Sequence, residues 1–391
     1  MEVLRIVHTA DNHLDPKFTF LGPKVRDRRE DFLNAFRRVV DFAVEAKPHL
    51  FLVSGDLFDS VNPRNPVRVQ VIRAFRRLYS EGVRVYVIAG NHDMPRSLEE
   101  GLSPLKEVEA SGYARFFEKT SEFEVDHFEV NGFDVAVAGI SYNPEVGLDE
   151  HPLRKYNARV PREGDIEVVL MHYNFAGVEV PGAWRAPRIT REDIPDNCVY
   201  AALGHVHSRV TIPLGNGGVA AYPGSTERRS FIEEGDGAKG FLYVKVHGDG
   251  RVETEFKEVP TRPIKTVRVQ VPPSAEDPVG YVLSSLPPPD PRLLLRVLVE
   301  GSIPLARLTR YSRAELLKNA EKRFFHVVVE DSELRCAYAE KPSVAVESKS
   351  PIEAFREEVE GRLREAPEED RIILLKALER GVKALEESGA W

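Results

Sequence analysis

Asp, Asn and His recur in this chain at the ends of short apolar runs, and all three can hold a metal ion. Asp11 and His13 follow "VLRIVHTA", and Asp56 follows "HLFLVSG". Asn91, His92 and Asp93 follow "VRVYVIAG", His172 follows "IEVVLM", and His205 and His207 close "CVYAALGHVH". Setting aside His92 and Asp93, the candidates are two carboxylates, one amide and four imidazoles. Mixed nitrogen and oxygen donors without thiolate suit Mn, Fe or Zn better than Mg or Ca. Seven donors exceed what one ion takes. With one carboxylate shared they divide into two sites, the usual apparatus for attack of water on a phosphoryl group. Asn91, His92 and Asp93 could each bind metal, move a proton or shape a turn, and residue type alone does not separate them.

The elements that must position these residues are legible around them. The five runs are short and rich in Val, Ile and Leu, as buried strands are. Between the first three lie amphipathic stretches. "DRREDFLNAFRRVVDFAVEA" sets Phe32, Phe36, Val39, Val40 and Ala43 on one helical face, and "NPVRVQVIRAFRRLYSEG" does the same with Val71, Phe75 and Leu78 before Gly82. Strand, helix, strand, helix, strand predicts an α/β layered core, with the candidate ligands at the carboxyl ends of its strands. Farther on, "GFLYVKVHGDGRVETEFKEV" reads as a hairpin turning at Gly248–Gly250. The core is expected to span residues 1–260. A small α+β domain is expected over 261–345, and a helical hairpin with two apolar stripes over 346–391. Ile352, Phe355, Val359 and Leu363 form one stripe; Leu375, Leu378, Val382 and Leu385 form the other.

Composition narrows the function classes. The 391 residues are 42% hydrophobic, enough for a large core and smaller accessory domains. A net charge of −8 argues against a surface coated in positive charge for nucleic acid. It leaves room for a phosphate substrate, because bound cations supply positive charge locally. Cys198 and Cys336 form no C-x-x-C pair. No run reaches the ~18 apolar residues of a membrane span, and "MEVLRIVHTADNH" has no signal-peptide core. A cytoplasmic protein, nucleoid-associated if it acts on DNA, is the expectation.

Together, D-x-H, G-D-x-x-D, G-N-H-D, a His after a strand and G-H-x-H resemble the calcineurin-like metallophosphoesterase signature. "GDLFD", "GNHD" and "YPGSTERRSFIEEGDGAKGFLYVKV" are similar to the SbcD-like, Mre-type (meiotic recombination) double-strand-break repair nucleases. "RLLLRVLVEGSIPL" and "RAELLKNAEKRFFHVVVED" resemble that family's DNA-capping domain, and the tail hairpin is placed like its grip on an SMC-like (SbcC/Rad-type) ATPase.

The resemblance implies a four-layer αββα sandwich with a capping domain and a C-terminal helical hairpin. It implies two divalent ions, Mn²⁺ foremost, one held by Asp11, His13, Asp56 and His207, the other by Asp56, Asn91, His172 and His205. A hydroxide between the metals would hydrolyse DNA phosphodiesters, 3′→5′ from duplex ends and endonucleolytically on single strands or hairpins. His92 would stay unligated, facing the scissile phosphate. Asp59 would accept a hydrogen bond from His92 and raise its pKa. Arg228 and Arg229 would contact DNA phosphate, and a homodimer is implied. Asn12 and Asp15 stand where the family often has Trp and Gly, which puts the DNA surface beside the first motif in doubt. Two rivals share parts of this pattern: a metallophosphoesterase acting on nucleotides, phosphoproteins or small phosphodiesters, and a non-catalytic scaffold for the ATPase.

Overall fold

The computed structural model describes residues 2–179, 186–215, 217–337 and 350–387. The chain begins β1 (Glu2–Thr9), α1 (Val25–Ala46), β2 (Leu50–Ser54), α2 (Asn65–Ser80), β3 (Arg84–Ile88), α3 (Leu105–Ala110) and β4 (Arg115–Phe117). It continues with β5 (Glu124–Val130), β6 (Phe133–Gly139), α4 (Pro152–Lys155), β7 (Ile166–Met171), β8 (Asn174–Phe175) and β9 (Arg188–Ile189). Then come β10 (Cys198–Leu203), β11 (Val210–Pro213), β12 (Val219–Tyr222), β13 (Gly240–His247) and β14 (Val252–Glu258).

Two six-stranded sheets form, in the orders β14-β13-β1-β2-β3-β4 and β11-β12-β10-β7-β6-β5. Alternation along each strand sends successive side chains to opposite faces. Leu4, Ile6, Leu50, Leu52, Tyr86 and Ile88 of the first sheet therefore meet Val135, Val137, Val168, Leu170, Tyr200 and Ala202 of the second. Val7, Phe51, Val53, Val85 and Val87 face the other way and take the apolar stripes of α1 and α2, including Phe32, Phe36, Val39, Val71 and Phe75. The left-handed residue Lys47 caps α1, with its N–H on Ala43 O at 2.9 Å. Over the outer face of the second sheet the covering layer is thin. Leu153 of the short helix α4 packs there with loop and edge residues such as Ile140, Ile189 and Ile194.

Register then decides where the polar residues emerge. Thr9 pairs with Val53 and Ser54 with Ile88 in parallel, so Asp11, Asp56 and Asn91 leave the same edge of the first sheet. Leu203 pairs with Met171, which brings out His205 beside His172 on the second.

Beyond the sandwich lie β15 (Ile264–Gln270), α5 (Pro278–Ser285), β16 (Asp290–Ile303), α6 (Leu305–Leu308), α7 (Arg313–Ala320) and β17 (Phe324–Cys336). The three strands are parallel in the order β15-β16-β17, with α5 and α7 packed on them through Val282 and Leu316. Helix α5 was not anticipated: its polar N-cap Asp277 and Pro278 resemble the loop chemistry of the Pro-rich stretch around it. Arg262 fastens this sheet to the sandwich, with Nε and Nη2 at 2.6 and 3.0 Å from the Asp31 carboxylate.

The tail forms α8 (Pro351–Glu365), opened by a Ser350–Glu353 capping box, and α9 (Glu368–Glu387). The expected boundary at 345/346 lies outside the described residues. Ile352, Phe355, Val359 and Leu363 form the partly buried stripe of α8. On α9 the stripe begins at Leu374 rather than Leu375, then runs through Leu378, Val382 and Leu385. The hairpin is seated where Phe355 lies against Gly381, whose Cβ, if present, would stand 2.4 Å from the ring. That seating rotates Leu375 outward with Ile372 and Ile373, all three more than half exposed.

Candidate metal centre

The seven candidate donors meet in one closed ring of contacts. Nε2 of His13 is 3.0 Å from Nε2 of His207 and 3.8 Å from Asp56 Oδ2. Asp56 Oδ2 is 3.5 Å from His172 Nε2, which is 3.3 Å from Asn91 Oδ1. Asn91 Oδ1 is 3.0 Å from His205 Nδ1. The His205 backbone N–H donates to Asp11 Oδ2 at 3.0 Å, and Asp11 Oδ1 lies 3.9 Å from His207 Nε2. Donor atoms of Asp11, His13 and His207 lie within 4.8 Å of one another; so do those of Asp11, Asp56 and His172. Asp56 thus sits between the His13 and His172 ends of the ring.

The backbone reaches this arrangement only through strain. Asp11, His13, Asp56 and His205 have φ of 51°, 43°, 50° and 93°. Left-handed conformations of this kind are disfavoured for residues with a Cβ and cost roughly 1–3 kcal/mol each. Hydrogen bonds between the first two motifs hold them: Asp11 N–H to Gly55 O at 3.2 Å and His13 N–H to Asp56 O at 3.0 Å. Glycines allow the close approach. A Cβ on Gly90 would stand 2.2 Å from Asp56 Oδ1, and one on Gly204 would stand 1.8 Å from Ser54 O and 2.7 Å from His172 Nδ1. Gly204→Ala is therefore expected to destabilise the chain by about 1–3 kcal/mol and to weaken metal binding, since Ser54 O is the acceptor that orients His172. Thermal denaturation and Mn²⁺ titration check this; a wild-type melting temperature and affinity would refute it.

The residues fit a pair of cations. Nδ1 of His172 donates to Ser54 O at 2.7 Å, that of His207 pairs with Glu233 Oε1 at 3.1 Å, and that of His13 stands 3.3 Å from Asp59 Oδ1. With their protons on Nδ1, the Nε2 lone pairs of His13 and His207 point at each other across 3.0 Å. A positive ion between them and Asp11 resolves that clash. Orientation of metal-binding imidazoles by carboxylates and carbonyls is general.

Electrostatics agree. Burial opposes charge on His172, but the Asp56 carboxylate prevails and lifts its pKa to about 9. Burial pushes Asp11 up. Burial works against Asp56 too, yet His172 holds it well below the usual carboxylate range. Two buried carboxylates, Asp11 and Asp56, call for positive charge.

One expectation is corrected. The Asp59 carboxylate does not meet His92. It takes the Arg229 Nε–H at 2.8 Å and flanks His13, while the backbone carbonyl of Asp59 lies 3.2 Å from His92 Nδ1. The chain direction after Gly55-Asp56 aims the carbonyl at His92 and leaves the side chain for the two cationic or N–H-bearing neighbours. Arg228 turns away from the cleft: its guanidinium bonds Thr261 Oγ1 and, at 2.6 Å, Gly237 O.

Asp93 is buried. It accepts from Gly90 N–H at 2.8 Å and Phe58 N–H at 3.2 Å, tying the loop of Asp56 to that of Asn91. Its own burial raises its pKa to about 8, with Asp56 adding to the shift. Asn12 braces Thr9 and Thr226 at 2.9 and 3.2 Å, and Asp15 binds Arg64 N–H at 2.7 Å. The two departures from the family pattern are thus internal braces.

A cleft of about 540 Å³ opens over the ring. Asp56, Asn91, His205 and His207 line its floor, and His92, Arg96, Arg229, Tyr142 and Leu148 its walls. Sequence reasoning missed Arg96, Tyr142, Leu148 and Glu233, because none stands in a spaced motif; the Glu233 signal lay unread inside "RRSFIEEG".

Comparison with known proteins agrees with this geometry. The calcineurin-like phosphoesterase family model matches residues 4–209. The chain is 29% identical over 249 residues to the DNA double-strand break repair protein Mre11 of Methanocaldococcus jannaschii, 63% of each chain. It is 30% identical over 284 residues to that of Aeropyrum pernix, covering 68% of this chain and 64% of the relative. With that of Sulfolobus acidocaldarius it shares 24% over 323 residues, 81% of this chain and 80% of the relative. In the first two the match spans less than two thirds of the relative's own length. The family match takes in every one of the seven converging donors, from Asp11 to His207, and the chain belongs to the calcineurin-like phosphoesterase family.

Proposed function

We propose that this chain is the nuclease subunit of a DNA double-strand-break repair complex, a metal-dependent phosphodiesterase with Mn²⁺ in both sites. One observation carries the reading: the cleft over the seven donors, floored by Asp56, Asn91, His205 and His207, is also lined by His92, which has a ring nitrogen to spare for substrate. His92 Nδ1 faces the Asp59 carbonyl at 3.2 Å, so Nε2 remains for the cleft. Bound divalent ions would activate water and neutralise charge developing on the phosphate. With the Nδ1–H held on Asp59 O, a second proton carried on His92 Nε2 passes to the leaving 3′ oxygen, and Arg229 and Arg96 offer positive charge to flanking phosphates. The cleft is large enough for a nucleotide rather than a bare phosphate. The similarity to DNA double-strand break repair proteins supports DNA as substrate; 3′→5′ action on duplex ends and endonuclease action on single strands or hairpins are the modes we propose.

The test is incubation with Mn²⁺ and end-labelled duplex DNA, beside a small aryl phosphodiester. Hydrolysis of DNA, with label release giving the polarity, supports the nuclease. Hydrolysis of the small ester alone supports a general phosphodiesterase, and neither activity supports a scaffold.

The exposed Ile372, Ile373 and Leu375 support docking of an SMC-like ATPase on the hairpin. Deleting residues 351–391 is expected to abolish co-elution with that ATPase and leave DNA hydrolysis unchanged. A homodimer belongs to the same reading, by family likeness. No helix among the described residues is long and apolar enough to cross a membrane.

A further inference from the structure

The short turn Phe231–Gly235 touches the metal centre with one residue and the accessory sheet with the next. Glu233 is buried, and its Oε1 lies 3.1 Å from His207 Nδ1. Its Oε2 takes Lys239 Nζ at 2.8 Å, and the same ammonium donates to the His207 carbonyl at 2.9 Å. His207 is thereby clamped at both ends, side chain by Glu233 and main chain by Lys239. Burial opposes charge on Glu233, but His207 and Lys239 hold its carboxyl well below the usual range. Glu234, by contrast, is exposed, and its Oε2 accepts the Thr266 N–H of β15 at 2.8 Å. Thr266 lies on the edge strand of the accessory sheet. Phe231 lines a small, mainly apolar pocket together with Phe18 and Leu21 of the sandwich and Ile264 and Leu294 of the sheet.

We propose that Glu233 is the positioning residue for His207, and that Glu234 couples this position to the accessory sheet, so that movement of the sheet loosens one of the two metal sites. The proposal rests on the two-ion reading of the centre given above. The physical reason is leverage. Two adjacent residues in a five-residue turn cannot move independently, so a shift of β15 that carries Glu234 also shifts the carboxylate orienting His207. Orienting partners of metal-binding histidines are worth about 10- to 100-fold in metal affinity. The ion affected is the one near Asp11, His13 and His207; the His172 end, oriented by Ser54 O, has no contact with the turn among the described residues.

The test is calorimetric titration of chelator-stripped full-length chain with Mn²⁺, with the Mn²⁺ electron paramagnetic resonance spectrum distinguishing single from paired ions. Wild type is expected to bind two ions. Glu233→Ala is expected to weaken one ion about 10- to 100-fold and leave the other, giving an uncoupled spectrum at one equivalent. Glu233→Gln, which retains an oxygen for the His207 Nδ1–H, is expected to recover part of the loss. Glu234→Ala, an exposed change, is expected to weaken the same ion about two- to tenfold. If Glu233→Ala fails to fold, Glu234→Ala decides: wild-type affinity there overturns the coupling. Wild-type binding of both ions by Glu233→Ala, or equal weakening of both, overturns the positioning role. If wild type binds two ions yet cleaves no DNA, the nuclease reading falls and this proposal is judged on the titrations alone. If wild type binds fewer than two ions, the two-ion reading falls and this proposal falls with it.

Discussion

Asp56→Asn is expected to eliminate DNA hydrolysis, lowering turnover by about three orders of magnitude or more, with the fold intact. The carboxylate is fully committed. Oδ1 accepts the His92 backbone N–H at 2.8 Å, and Oδ2 faces His172 Nε2 at 3.5 Å and His13 Nε2 at 3.8 Å. An amide has the same shape, so packing survives. It lacks the negative charge that both ends of the ring share, and it turns an N–H₂ toward a neighbour in one of its two orientations. A shared ligand contributes to both ions, and several kcal/mol of transition-state stabilisation depend on them, at tenfold per about 1.4 kcal/mol. Metal analysis should find fewer than two ions per chain. Two tightly bound ions and more than about a tenth of wild-type turnover would be incompatible with Asp56 as the bridge.

His92→Ala makes the opposite demand: both ions stay and turnover falls by about 10²–10⁴-fold, the usual worth of a general acid. His92 is half-buried on the wall of the cleft, its ring edge-on to His13 with centroids 4.7 Å apart. A rival role is visible in the same geometry, since ring nitrogens of His92 and His13 and an Asp56 oxygen also lie within 4.8 Å of one another. Elemental analysis separates the two roles. Loss of an ion on His92→Ala makes it a ligand; two retained ions with collapsed turnover make it the proton donor. A substrate with an acidic leaving group sharpens the distinction, because it needs no proton and should be cleaved by His92→Ala far better than DNA relative to wild type.

Much of the sandwich is legible in the sequence alone. The runs ending at Asp11, Asp56, Asn91, His172 and His205 are strands β1, β2, β3, β7 and β10, because burial on both faces makes each a continuous apolar string. The stripes of α1 and α2 are the buried faces anticipated from spacing. Helix α5 was illegible because eight residues beside a Pro-rich stretch carry too little periodicity. The α9 stripe was displaced by one residue because Leu374 and Leu375 serve the pattern almost equally, and only the seating of Phe355 on Gly381 chooses between them.

The division at the metal centre is sharper. By itself the sequence determined which donors exist, their order, and that each follows a strand, since those properties are local to each run. Only the tertiary structure decided which atoms meet. It aimed the carbonyl of Asp59 at His92 and its carboxylate at Arg229, sent Arg228 to Thr261, and recruited Glu233 to His207 from 26 residues away. These outcomes depend on left-handed turns at Asp11, His13, Asp56 and His205 and on the register between neighbouring strands, and a chain read one segment at a time contains neither.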